Sequence, residues 1–207
     1  MSAANAKKTT AMRSTTPRSF VADIRGAAAI EFGFLAPLLM LMLLGTIELG
    51  RAISTDRHFT TAISSAGDLV AREQNLGTTD AAAKSNLDGM MLSIKHLMQP
   101  YESNTLKLSV YSVKASTTQA DKGKVEWVYS YNGASAPAKC SDYTLPTGLI
   151  SKGGSVIVVD GTYQFKSLFG SYVPGMNPSM TWQEKSYHSP RNVCVDYVEG
   201  KNCISSC

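Results

Sequence analysis

From Ala27 to Ile47 the chain is almost continuously apolar, and Glu31 is the only ionisable residue in those 21 positions. At about 1.5 Å per residue this run makes roughly 31 Å of helix, enough to cross a hydrocarbon core. Pro37 lies inside it; lacking an amide donor and crowding the preceding turn, it predicts a kink or a local loosening. Beyond the run the pattern becomes amphipathic. Ala52/Ile53, Phe59, Ala62/Ile63, Ala66 and Leu69/Val70 recur every three or four residues, interleaved with Arg57, Ser64, Asp68 and Arg72. One helix is therefore expected from about Ala27 to near Arg72, the apolar stripe of its outer half packing on the chain's own domain.

Gly77-Thr78-Thr79-Asp80 combines a break with an N-cap signal. Leu87, Met90/Met91, Ile94 and Leu97/Met98 then mark a second amphipathic helix, weakened by Gly89 and stopped by Pro100, whose methionines read as flexible core filling. From Thr105 the period falls to two. Leu106, Leu108 and Val110 alternate with polar residues, Asp121-Lys122-Gly123 reads as a turn, and Val125, Trp127 and Tyr129 alternate again, predicting a hairpin. Ser155 to Phe165 is the most apolar strand and is expected to be central; Met180 to Tyr187 is another, with Trp182 on one face. Residues 132–154, punctuated by Pro137, Pro146 and Gly153-Gly154, read as a loop. The elements together predict an α+β fold in which a long N-terminal transmembrane helix continues into an extracytoplasmic domain. In that domain an antiparallel sheet of about four strands packs on the helix. Its length suits a single domain, giving three segments: 1–26, a cytoplasmic basic leader; 27–49, the transmembrane helix; and 50–207, the outer domain with its Cys-bearing tail.

Charge changes the picture through its location. The net charge of +4 is held entirely by residues 1–26, where Lys7, Lys8, Arg13, Arg18 and Arg25 face only Asp23; the rest of the chain balances at fifteen basic and fifteen acidic residues. A neutral outer chain lacks the electrostatic footprint of phosphate binding, so nucleic acid is excluded as a partner. The asymmetry instead orients a membrane span with its leader in the cytoplasm and residues 51–207 outside. A conventional signal peptide fits less well, because the apolar run is longer than the usual 7 to 15 residues and Leu44-Gly45-Thr46-Ile47-Glu48 is a poor small-x-small cleavage site. Lipoprotein processing is excluded by the lack of any Cys before position 140.

A carboxylate one turn inside a span is costly, up to about 3 kcal/mol at a helix centre and less near the edge, and so calls for a compensating partner or a function. Gly26-Ala27-Ala28-Ala29-Ile30-Glu31-Phe32 behind a basic leader resembles the processing site of type IV pilin-like proteins. With Pro37 and Gly45-Thr46-Ile47-Glu48-Leu49-Gly50-Arg51, the stretch resembles more closely the TadE-like pseudopilins of the tight-adherence (Flp, type IVc) pilus system. A weaker similarity follows at Val156-Ile157-Val158-Val159 through Phe165 and at Leu168-Phe169.

The resemblance implies a pilin-like fold and cleavage by a prepilin peptidase between Gly26 and Ala27. It also implies a subunit-assembly role for Glu31 and Phe32, a useful bend at Pro37, and a membrane-exit motif of Glu48, Gly50 and Arg51. Cleavage would remove the +4 leader, expose the Ala27 amine and leave Glu31 about 6 Å along the helix. There the carboxylate is implied to pair with the terminal amine of a neighbouring subunit, acid and amine neutralising each other away from water. An uncleaved anchor whose Glu31 snorkels to the headgroups stands as the alternative. Other pilins or pseudopilins, the inner-membrane assembly platform and membrane lipid complete the implied partners. The implied function is assembly or initiation of tight-adherence pili and hence surface adhesion, with the protein single-pass in a bacterial inner membrane and its outer domain periplasmic. A membrane-anchored module binding an envelope component is the competing reading.

Cys140, Cys194, Cys203 and Cys207 all fall outside the predicted membrane, and an even number in an oxidising compartment points to disulfides. Their spacing suits no zinc site. Of three connectivities, Cys140 with Cys194 and Cys203 with Cys207 is preferred, tying the long loop to the end of the sheet and closing the tail locally. His58, His96 and His188 are dispersed. No nucleophile elbow, phosphate loop or zinc-binding His pair is present, and Asp142, Asp160 and Glu184 read as scattered surface acids. No enzyme activity, cofactor or metal is expected. Glu48 and Arg51, three apart, are placed to pair on one helix face, a contact worth a few tenths of a kcal/mol when exposed.

Overall fold

The structure, a computed structural model, describes residues 25–172, 178–200 and 207. Most of the leader and Cys203 therefore lie outside the described residues. Helix α1 runs from Arg25 to Arg72 and continues through Pro37. It is the one helix among the described residues long and apolar enough to cross a membrane. The chain divides into two compact units, Met1–Leu44 and Gly45–Cys207. In the first, the described residues are helical, and Ile30, Phe32, Phe34, Leu35 and Leu38 through Leu43 expose their side chains, as a lipid-facing segment requires.

The second unit holds the rest of α1, helix α2 (Asp80–Leu97) and five strands, β1 (Lys107–Ala115), β2 (Lys122–Tyr131), β3 (Asp142–Thr144), β4 (Ser155–Lys166) and β5 (Ser179–His188). α2 starts where the sequence places its cap: Thr79 is extended and its hydroxyl accepts from the Ala82 amide at 3.2 Å. The sheet is antiparallel, in the order β3-β2-β1-β4-β5. The fifth strand is β3, which takes three residues from the expected loop and pairs along the outer edge of β2. β4 is interior, as its apolar run demands, but β1 is the middle strand.

Phe59, Ala62, Ile63, Ala66 and Val70 of α1 are fully buried, as are Leu87, Met91 and Ile94 of α2, against Leu108, Val110, Trp127, Val159 and Tyr163 of the sheet. The amphipathic stripe thus packs on its own domain. A smaller core of Tyr111, Val113, Val125, Leu145, Val156 and Val158 occupies the opposite face. Val125 is expected from simple alternation to share a face with Trp127. It does not, because Ser112 pairs with Trp127 while Val113 pairs with Val125. Glu126 is the extra residue of a bulge, and one inserted residue reverses the side on which the strand's start points.

Two approaches hold the layers at short range. A Cβ on Gly161 would sit 2.4 Å from Ile63 Cδ1, and one on Gly67 would sit 2.1 Å from His188 Cδ2. Residues 191–199 then return along the α1–α2 connection. The Arg191 amide donates to Ala71 O at 3.0 Å, the Asp196 amide to Gln74 O at 3.1 Å, and Trp127 Nε1 to Val195 O at 2.8 Å.

That return decides the disulfide. Cys194, itself disulfide-bonded, is held on the helix side beside Val195, whereas Cys140 sits at the outer edge of β2, where its amide donates to Val125 O at 2.7 Å. Cys140 bonds instead to Cys207, with Cα atoms 5.3 Å apart. This corrects the preferred pairing of Cys140 with Cys194. The physical reason is that a disulfide requires Cα atoms within about 7 Å, and the fold brings Cys207, not Cys194, to that edge.

Candidate functional site

The first locus is the start of α1. Gly26 and Ala27 lie in its opening turn and are exposed, and a Cβ on Gly26 would meet nothing within 4 Å. Glu31 follows one turn after Ala27, exposed between Ile30 and Phe32, each 64% exposed.

The second locus is the exit from the apolar run, where one helix face joins two distant partners. Arg51 Nη1 lies 3.4 Å from both Glu48 carboxylate oxygens, as the spacing of three predicts. The same carboxylate also accepts from the Leu168 amide, at 3.2 and 3.3 Å. Only 13% of the Glu48 side chain is exposed, so this is a half-dry clasp rather than the solvated surface pair expected. Arg51 in turn places its guanidinium 5.7 Å from the centre of the Phe165 ring. Phe165 stacks on Trp182, with centroids 5.1 Å apart at 15°, and Tyr163 lies beside both Phe59 and Trp182. Burial, then the Glu102 charge, pushes the Tyr163 phenol upward. Gly50 has open space around its missing Cβ.

Glu48 is thus tied to the segment after β4, 120 residues away in sequence. Sequence reasoning placed Glu48 and Arg51 together but missed Leu168 and Phe165 as their partners. The downstream similarity at Phe165 and Leu168 was the available signal, since those are the residues the clasp holds.

On the opposite face of the sheet, Tyr111 Oη donates to Asp160 Oδ2 at 2.7 Å and lies 3.3 Å from the Tyr143 hydroxyl. Lys185 Nζ lies 3.3 Å from Asp160 Oδ1 and donates to Tyr143 at 3.1 Å. Burial, with hydrogen bonds to Tyr143 and Asp160, pushes the Tyr111 phenol well up. The network borders an open polar cleft of about 580 Å³ between Ser135–Pro137 and the β4–β5 pair.

Of the three scattered acids, Asp160 and Glu184 both line this cleft, while Asp142 lies apart. Asp160 pairs across to Lys185, Glu184 stands opposite Gly161 on the alternate face, and Asp142 pairs with Lys124 at the far edge. His58 Nδ1 lies 2.8 Å from Leu97 O, His96 is beside Gln99, and His188 Nε2 is 2.7 Å from Ser186 Oγ. Among the described residues no group of three or more His, Cys, Asp or Glu is placed to hold a metal ion.

Comparison with known proteins gives one result at the helix. Residues 26–68 match the model of a family described as TadE-like protein. The match begins at Gly26 and spans both loci of α1, Glu31 and the Glu48–Arg51 pair, so the resemblance drawn from Arg25 to Arg51 is met by the family itself. It leaves α2 and the sheet unmatched. No curated protein and no solved structure matches the chain.

Proposed function

From a TadE-like match that begins at Gly26 and a helix able to span a bilayer, we propose that this chain is a minor pilin-like subunit serving assembly or initiation of tight-adherence pili, and through them surface adhesion. The observation that carries the reading is the coincidence of Gly26, Glu31 and the apolar run within one matched helix. The protein is synthesised with a cytoplasmic leader, cleaved after Gly26 by a prepilin peptidase, and held laterally in the bacterial inner membrane with residues 50–207 in the periplasm. Glu31 then meets the Ala27 amine of an adjacent pilin or pseudopilin. Neither charge is cheap in hydrocarbon alone, so their pairing favours association over the isolated subunit. The inner-membrane assembly platform is the remaining partner.

Mass spectrometry of the membrane-extracted protein tests this. A chain beginning at Ala27 is expected, Gly26→Ala is expected to stay unprocessed, and Glu31→Val is expected to insert normally while losing association with companion pilins. An intact leader in cells that make the pilus apparatus would sink the proposal. A membrane-anchored module binding an envelope component is the competing reading, favoured by the polar cleft at Asp160 and Lys185; it tolerates both an intact leader and Glu31→Val.

A further inference from the structure

Outside the apolar run the domain hides most of its large apolar side chains, so the exceptions carry information. Two lie at the end of the sheet nearest Glu48. Leu168 is 56% exposed, and its amide is held by the Glu48 carboxylate. Met180 is 55% exposed and stands opposite Phe165, whose ring faces Arg51. On α1 the neighbouring Ile47, Leu49 and Ile53 are 45%, 61% and 49% exposed. Glu48 directly follows Ile47, the last residue of the uncharged run, so the clasp fixes Leu168 at the level where the helix leaves hydrocarbon.

We propose that Leu168 and Met180 form a foot of the domain that rests in the bilayer surface surrounding α1. The proposal relies on the reading that α1 crosses a membrane. The occupant follows from what stands at the exit of the run: Ile47 and Leu49 are exposed on either side of Glu48 in sequence, and the Glu48 carboxylate holds the exposed Leu168. The polar groups around the foot suit a headgroup layer. Lys166, 3.7 Å from Glu102 and exposed, carries its charge on a long apolar stem, and Arg51 and Trp182 flank Phe165 with one apolar side and one polar end each. Insertion of Leu168 and Met180 to the acyl boundary covers surface that would otherwise face water, and it anchors the domain at a second point beside its helix.

The test uses the full chain in vesicles of phosphatidylethanolamine and phosphatidylglycerol. Leu168→Cys or Met180→Cys carries an environment-sensitive fluorophore, attached without reductant. Lys152→Cys, an exposed position beyond the opposite end of β4, is the reference. Acyl-brominated lipid is expected to quench the probes at 168 and 180 at least about threefold more than the probe at 152, with iodide access reduced correspondingly. Leu168→Glu is expected to return iodide access to the probe at 180 while leaving membrane insertion intact. Equal iodide access at 168, 180 and 152 with no lipid quenching would overturn the proposal. So would protection that appears only as the protein-to-lipid ratio rises, which would mark a second copy as the occupant. Neither result depends on the leader, so failure here and failure of the processing reading are distinguishable.

Discussion

Cys140→Ser and Cys207→Ser are expected to damage the domain equally. The bond joins residues 67 apart, and closing a loop of that length contributes about 4 kcal/mol in the chain-entropy model, a large share of a domain's stability. For a domain of this size such a loss lowers the unfolding midpoint by roughly 8–16 °C. The pairing preferred from sequence predicts something different, since a Cys203–Cys207 loop is so short that breaking it costs little while loss of Cys140 would be severe. Thermal unfolding of the detergent-solubilised full chain, followed by near-ultraviolet circular dichroism, separates the two: the single variants should coincide, and the double variant Cys140→Ser/Cys207→Ser should be no worse than either. Non-reducing peptide mapping should recover a Cys140–Cys207 link. A near-native midpoint for Cys207→Ser beside a severely lowered one for Cys140→Ser would refute the reasoning, as would a Cys140–Cys194 peptide.

Gly161→Ala should cost about 1–3 kcal/mol because its Cβ meets Ile63 in a fully buried layer, and Ile63→Val in the same chain should recover part of that loss by removing Cδ1; purely additive effects in denaturant unfolding would show that the contact is not the cause. Glu48→Gln, which removes the charge that strengthens the hydrogen bond from the Leu168 amide, should speed hydrogen exchange at Leu168 without slowing membrane insertion, and unchanged exchange would remove the clasp from the account. Burial, opposed by the Asp68 charge, lowers the His188 pKa, so the unfolded chain binds the proton more readily. The stability this group contributes is therefore present above about pH 6.5 and lost as pH falls through its lower folded value. His188→Gln should flatten the acid side of the stability curve, and an unchanged slope would place the titration elsewhere.

Periodicity made most of the elements legible. A 3.6-residue stripe marked Phe59, Ala62/Ile63, Ala66 and Val70, and those residues are the buried face of α1. The Thr79 cap and the alternation around Trp127 likewise located α2 and β2 within a few residues. Each signal is local, because burial on one side of a helix or strand repeats with that element's own geometry. The family match at residues 26–68 was legible for a related reason: a lone carboxylate, Glu31, in an apolar run stands out against its solvent before any fold is known.

What only the tertiary structure decided concerns segments distant in sequence. The Glu126 bulge turns Val125 to the face opposite Trp127, the short β3 emerges from a loop by borrowing the free edge of β2, and Gly161 is small because Ile63 lies over it. Leu168 meets Glu48 because β4 ends beside the middle of α1, and Cys140 meets Cys207 because residues 191–199 hold Cys194 on the other side of the sheet. A side-chain pattern records how much of each residue is buried. Which distant partner does the burying depends on bulges, edges and the paths by which the chain returns, and these are set only when the layers pack together.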